Sequence, residues 1–488
     1  MHKPTKSFRF SYVSIVGDQL NLNKDTAERV IDDALKMGAK YADARLEHAK
    51  WESILVKNGK VERVRSGELY GIGLRVLLKT WGFASTTELS KGSLEKVVNA
   101  AVGMSKTAKK VDKVKLSKSS TENARVKTKI RTNPLDVPVE EKVKLCLDSD
   151  KLARVDKFIK RTSVWITSEL IEKTFVSGEG TNITFENFLT YGGVFALAKR
   201  GIVVEYIDEL AGGSGGFEIV EQFNMPAKAA EVGRRASKLA ASKSVPEQKG
   251  TVVLDQDLVA LLCHEIIGHP SEADRVLGKE AAWAGRAWWA SKLGERVGSK
   301  LLNAVDDPRI KGALGYYEYD DEGTAARRKD LIREGILTEH MHSRETAAEF
   351  GAMPNGNMRA QSFEYLPLIR MSNTFIEPGE FKKEELFDIN NGVYLKGAKV
   401  PSIDSMRYNF QLSAKEAFLI KRGELTGPFR GASIMGAAPE FFNSIDAVAD
   451  DFEMKPIPNC GKGDPMQTIH VGNGGPHIRG VCTVAGVK

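Results

Sequence analysis

No run of apolar residues approaches the ~20 that a membrane-spanning helix needs, and the opening Met1-His2-Lys3-Pro4-Thr5-Lys6 leads into neither an apolar h-region nor a small-residue cleavage site. The expectation is a chain that is neither membrane-inserted nor exported and that works in the cytoplasm. Cysteine is scarce too. Four thiols among 488 residues (Cys146, Cys263, Cys460 and Cys482) do not make a disulfide framework, which fits a reducing compartment and leaves thiols free for metal. Charge of one sign is also missing once a single segment is set aside. The formal net charge is +7, yet residues 106–131 hold ten basic and two acidic side chains, and the remainder balances at 61 basic against 62 acidic. The folded parts therefore offer no general nucleic-acid footprint, and the lysine-rich stretch at about 106–137 reads as a solvated connector.

What is present suffices for a large core. Of the residues, 42% are hydrophobic, and a chain of this length is expected to divide into two or more domains. Residues 24–37 carry Val30, Ile31, Ala34 and Leu35 at helical spacing. Segments at 41–48, 53–57, 61–64 and 70–78 read as strands, with Asn58-Gly59 as a hairpin turn. Past the connector, 138–152 reads as a helix, and five strand-like segments between 163 and 207 read as an antiparallel meander with one partly solvated face. Gly212-Gly213-Ser214-Gly215-Gly216 reads as a flexible loop and 227–241 as a helix, and the domain boundary is placed at 245/246.

The chemistry gathers in Leu262-Cys263-His264-Glu265-Ile266-Ile267-Gly268-His269-Pro270, two imidazoles bracketing a carboxylate in an apolar run. Neutral histidines give nitrogens to zinc, and a glutamate beside the first can take a proton from water at the metal. In the familiar H-E-x-x-H arrangement the ligands lie four residues, about 40°, apart around a helix. Here the spacing is five, about 140° on a regular helix. A π-bulge or an unwound turn is then required to bring the rings together, and Gly268 is the place for it. A carboxylate in such surroundings is costly to bury unless something positive compensates it, which favours a metal over two core histidines.

Further on, Trp283-Ala284-Gly285-Arg286-Ala287-Trp288-Trp289 reads as core or interface anchors. Asp320-Asp321-Glu322-Gly323-Thr324 reads as either a cation site or a solvated acidic turn capping a following helix. Cys460, between Asn459 and Gly461-Lys462-Gly463, reads as a thiolate in a glycine-flanked loop with room to reach a metal. Glu272 and the glutamates of Glu345-Thr346-Ala347-Ala348-Glu349 stand as alternative third ligands, and Cys263 or Glu272 as a fourth that would close the site. His340, His342, His470 and His477 read as structural or exposed.

Taken together and in this order, HEIIGH with SEAD, DDEGTAARRKDLIREGIL, RMSNTFIEPGE, NCGKGDP and VGNGGPHIRG resemble the TldD/PmbA family of cytoplasmic peptidases, specifically its metal-bearing TldD branch. The likeness runs through essentially the whole chain. It implies an α+β protein with a mixed α/β N-terminal domain (1–245) and a β-rich C-terminal metalloprotease domain (246–488). It implies one zinc per chain, held by His264, His269 and Cys460, with Glu265 as general base. It also implies unfolded peptide substrates that lie down as an added strand, and a homo- or hetero-oligomer with a like-folded chain of the TldE/PmbA kind. Pro270 stands where a glycine is common in the family. HEIIGH also resembles the metal helix of dipeptidyl peptidase III, with a glutamate as third ligand, and a zinc-stabilised peptide-binding or maturation module without catalysis is a further reading.

Overall fold

The computed structural model describes residues 16–107, 114–280 and 286–486, so His2, part of the basic connector and Trp283 lie outside the described residues. Helix α1 (Val16–Lys36) leads into strands β1 (Tyr41–Lys57), β2 (Lys60–Leu77) and β3 (Trp81–Thr86). Then come α2 (Lys91–Thr107), β4 (Asn123–Lys127), α3 (Val139–Ala153), β5 (Ile159–Ser177), β6 (Asn182–Arg200), β7 (Val203–Ser214), α4 (Glu218–Phe223) and α5 (Met225–Ala240). Asn58 and Gly59 turn the first hairpin at φ of 49° and 77°, values these two residues tolerate and which match the twist of the flanking strands. The separate strands expected at 41–48 and 53–57 are one strand of 17 residues. The stretch between them keeps its partners, β2 on one side and β5 on the other.

The seven strands form one sheet ordered β3-β2-β1-β5-β6, with β4 and β7 sharing the outer edge of β6. Two expectations change here. The basic connector is not wholly solvated linker, since it contains β4, paired in parallel with β6. Gly212-Gly213-Ser214 is not a loop but the end of β7, and at Gly213 a Cβ would lie 2.4 Å from the Gly312 carbonyl oxygen, so the sheet edge passes close to the later chain.

Period-two alternation separates the two faces of this sheet. Even-numbered residues of β1, β2, β5 and β6, among them Ala44, Leu46, Leu74, Val164 and Val194, are buried against α1, α2, α3 and α5. Odd-numbered residues turn to the other face and meet the second half of the chain. Arg75 donates to Asp43 at 2.6 and 2.9 Å and to Glu322 at 3.1 Å, and Lys173 donates to Asp321 at 2.6 Å. Arg45 reaches the Ser362 carbonyl. The acidic turn at 320–324 is therefore buried rather than solvated, and the next element is a strand, Lys329–Arg333, rather than a helix. Cations of the first sheet supply the compensation that burial of these carboxylates requires.

Beyond α5 the strands build separate sheets. Strand β8 (Gln248–Leu254) joins Asn391–Ala398, Asn409–Lys421, Ala432–Ala437 and Ile478–Gly486 in a closed five-stranded barrel. Closure comes from the long strand Asn409–Lys421, whose residues 409–413 pair with 433–437 and whose residues 414–421 pair with 391–398. A second, mixed sheet includes Lys329–Arg333, Ala304–Asp306, Asn373–Ile376 and Gln467–Gly475, and ends on Glu453–Lys462. Helix α6 (Gln256–Leu262) packs against strands of both, with Leu258, Val259 and Leu262 fully buried in the largest core of the protein. No helix among the described residues is long and apolar enough to cross a membrane.

Arg75 ties the first sheet to the acidic turn, and Arg75→Met would leave Asp43 and Glu322 buried without their cation. Urea denaturation is expected to register a loss of about 3–5 kcal/mol. A loss below about 1 kcal/mol, the range of exposed pairs, would show that this junction does not depend on the pair.

Candidate metal centre

Asp255 starts α6. Its Oδ1 accepts from the Leu258 amide at 3.0 Å and its Oδ2 from the Gly397 amide at 2.8 Å, which ties the helix start to the barrel. After Leu262 the helix widens into a π turn, Cys263–Gly268, and the His269 amide donates to the His264 carbonyl five residues back. The five-residue spacing needs this widening, and the two rings come to a centroid separation of 4.8 Å. Gly268 closes the turn against Met371, whose Sδ would lie 2.8 Å from a Cβ at that position. Pro270 then falls in the first turn of a short 3-10 segment, His269–Ser271, where a missing N–H costs little. Its carbonyl accepts from the buried Trp289 indole at 2.8 Å, so one of the expected aromatic anchors fixes the backbone just after His269.

Cys460 arrives from the mixed sheet. It is not in a loop, as its glycine-rich flank suggests, but on the strand Glu453–Lys462, where a bulge between Ile457 and Cys460 re-aims it. The fully buried Arg370 donates to its carbonyl. Cys460 Sγ lies 3.7 Å from His269 Nε2, and one donor atom from each of His264, His269 and Cys460 falls within 4.8 Å of the other two. Zinc with a sulfur at about 2.3 Å and a nitrogen at about 2.0 Å sets the two roughly 3.5 Å apart at a tetrahedral angle. The donor set therefore fits that ion in chemistry and in spacing.

Acceptors behind the rings fix their tautomers. Asn473 donates Nδ2 to the Thr374 carbonyl at 3.1 Å, which leaves its Oδ1 to accept from His264 Nδ1 at 2.9 Å. Glu272 Oε2 accepts from His269 Nδ1 at 3.0 Å and is held in turn by Arg275 Nε and Lys462 Nζ, each at 3.1 Å. Burial would lower His264, yet Cys460, Glu265 and Asn473 raise it to about 9, so its Nε2 is bare only once that proton has left; in their neutral forms both rings present Nε2 toward the thiol, as ligation requires.

The thiols differ sharply in character. Burial would raise Cys460, but the charges of His264, His269 and Arg370 outweigh it and hold the thiol well below its ordinary value. Burial pushes Cys263 up to about 12, and its Sγ turns to the Gly474 carbonyl at 3.3 Å. Burial would also raise Glu272, yet Lys462, His269 and Arg275 hold it well below the carboxylate range. Cys263, turned to Gly474, and Glu272, on the far side of the His269 ring, both lie outside the group of three donors.

Glu265 takes the open side of the π turn. Its neighbours Ile266 and Ile267 are fully buried, whereas its partly exposed carboxylate pairs with Arg407. Arg407 holds a left-handed φ of 62°, a conformation that costs a residue other than glycine about 1–2 kcal/mol. Sequence reading misses Arg407, because Asp404-Ser405-Met406-Arg407 carries no motif. Asn473 and Arg370 had a signal, since each lies in a motif of the family resemblance, but no role could be given to them. The alternative third ligands stay apart: Glu349 pairs with Lys279, and Glu345 accepts from the Trp81 indole at 2.7 Å. His470 is engaged by the Pro458 carbonyl and Glu169, and His477 by Asp451 and Tyr394. Among the described residues, His264, His269 and Cys460 form the one group of three such donors within metal-binding reach.

Two imidazoles and a thiol with a carboxylate on the open side, set between a barrel and a mixed sheet, define a centre of the metallohydrolase class. Family models for the PmbA/TldA metallopeptidases match residues 42–105 (domain 1), 132–243 (central domain) and 247–486 (C-terminal domain). A metalloprotease of Methanocaldococcus jannaschii is 37% identical over 472 residues, covering 96% of this chain and 100% of the relative. A zinc metalloprotease TldD homolog of Saccharolobus solfataricus is 28% identical over 463 residues, covering 92% and 97%. The crystal structure of TldE from Thermococcus kodakarensis shares the fold, with a TM-score of 0.75 at 19% identity over 94% of this chain and 100% of that one. The chain belongs to the PmbA/TldA metallopeptidase family.

Asn473→Ala removes the acceptor that orients His264 while leaving all three donors in place. Zinc affinity, measured by competition with a chromophoric chelator, is expected to fall about 10–100-fold. An unchanged affinity would show that His264 needs no such partner.

Proposed function

We propose that the protein is a zinc-dependent peptidase of extended, unfolded peptides, with one zinc per chain held by His264, His269 and Cys460 and with Glu265 as general base. The observation that carries this reading is the convergence of the His264 and His269 ring nitrogens and the Cys460 thiol beside the Glu265 carboxylate. When bound there, zinc supplies Lewis-acid polarisation of a carbonyl and a water acidic enough to ionise near neutral pH. Glu265 accepts that proton and delivers it to the departing amine. Arg407, paired with Glu265, fixes where the carboxylate sits. Asn473 and Glu272 keep each Nδ1 protonated, so that the rings cannot turn their other face to the metal.

An extended peptide suits the cleft. The outer edge of Glu453–Lys462 pairs with no other strand among the described residues, and Ile457 and Asn459, close to Cys460, line a cavity of about 720 Å³. A peptide added along that edge gains affinity from main-chain hydrogen bonds, which a folded domain cannot offer. On this reading the chain divides at 245/246, the first part walling the cleft and the second carrying the chemistry. Assembly with a second chain of like fold, its own copy or a TldE-like one, and a cytoplasmic setting belong to the same proposal; four buried free thiols are in keeping with the latter. A non-catalytic zinc-stabilised module would call for a closed site, and the engagement of Cys263 and Glu272 elsewhere favours an open one.

Glu265→Gln keeps the size of the side chain and removes the base. Zinc is expected at wild-type stoichiometry while hydrolysis of a denatured protein falls by about 10²–10⁴-fold, and retained turnover would sink the mechanism. Cys460→Ala is expected to lose zinc and activity together and Cys482→Ala neither. A full complement of zinc in Cys460→Ala would place the third ligand elsewhere.

A further inference from the structure

The cavity beside the metal helix has a floor that the chemistry above does not use. Trp165 of β5, Phe195 of β6 and Tyr206 of β7 stand on the face of the first sheet that turns away from its helices, and all three line the cavity while partly exposed. Phe195 and Tyr206 stack at 5.4 Å with their planes 29° apart. Gly193, paired with Trp165, leaves room for the indole, since a Cβ there would lie 2.6 Å from Trp165 Cζ2. Leu261 of α6 also lines the cavity, with Leu210 at 40% and Val400 at 79% exposed around it. We infer that this floor is a side-chain subsite that selects peptides with a large apolar residue, aromatic above all, at one fixed distance from the bond that is cut. The inference rests on the peptidase reading and names what that site prefers.

Among the described residues most charge on the rim is satisfied, the exception being Arg161, whose guanidinium lies 5.9 Å from the centre of the Phe195 ring. Lys399 pairs with Glu205 at 2.8 Å, Lys415 with Asp208 at 3.2 Å, Lys455 with Asp257 at 3.0 Å and Arg235 with Glu209 at 2.5 Å. A basic substrate residue would break such a pair or lose solvent without return, whereas an aromatic ring gains from burial against Trp165 and Leu261 and from the Arg161 guanidinium. Leu261 lies four residues before Glu265, so this wall is about one turn from the base. On the opposite side the lining includes Asn459, the residue before Cys460. In an added strand every second side chain faces the same way. The preference therefore falls at one offset and is absent one residue to either side of it.

The test uses the zinc-loaded full-length protein and unstructured peptides in which one position at a time is Trp, Leu, Gly, Asp or Lys. At one offset, kcat/KM is expected to be at least about tenfold higher for Trp than for Gly or Lys. Val400→Asp, at a site too exposed to disturb folding, and Tyr206→Ala are each expected to shrink that ratio to within about threefold with zinc content unchanged. A flat profile at every offset, or a ratio that persists in both variants, overturns the subsite and leaves the peptidase reading standing. If zinc-loaded wild-type protein cleaves none of the peptides, the peptidase reading falls and the subsite with it.

Discussion

Two histidines five residues apart on a helix can face one ion only if the helix widens by a residue between them, and much of the C-terminal half is arranged around that widening. The π turn at Cys263–Gly268 gives up α-helical hydrogen bonding inside the core, a strain that the surroundings must hold in place. Met371 fills the space against Gly268, and the residue before it, Arg370, reaches across to the Cys460 carbonyl. Asn473 bridges His264 and the Thr374 carbonyl. One short segment, Arg370 to Thr374, thus supports the turn, the third donor and the acceptor behind the first, so the donors depend on a single packed unit rather than on three independent loops.

Around that unit the charges are buried but paired, and pairing sets their chemistry. Glu272 serves His269 because Arg275 and Lys462 keep it anionic in a dry place. Asp306, fully buried, is likewise matched by Lys329 at 2.9 Å and by hydrogen bonds from Ser372 and Thr374, which hold the same segment from below. Such pairs contribute little net stability over an apolar core, yet losing one partner is costly.

The sequence made some of this legible and hid the rest for physical reasons. The need for a π turn could be counted from HEIIGH, because helical angle is local arithmetic, and Asn58-Gly59 marked its hairpin because the left-handed conformation is a property of those two residues. Cys460 could be singled out, but not the bulged strand that carries it, since its glycines look like a loop until the partner strand is known. The acidic turn at 320–324 looked solvated because the cations that pay for its burial, Arg75 and Lys173, lie about 150 to 250 residues earlier. Arg407 had no sequence signal at all: its positive φ belongs to the turn before strand Asn409–Lys421, where its amide donates to the Asp404 carbonyl at 3.1 Å, and its partner Glu265 lies 142 residues earlier.

X-ray absorption at the zinc K edge of the zinc-loaded protein bears most directly on the proposed centre. Two imidazole nitrogens at about 2.0 Å, one sulfur at about 2.3 Å and one further light atom are expected in the first shell. A shell without sulfur, or one with two sulfurs, would contradict the joint ligation by His264, His269 and Cys460 on which the proposed chemistry depends.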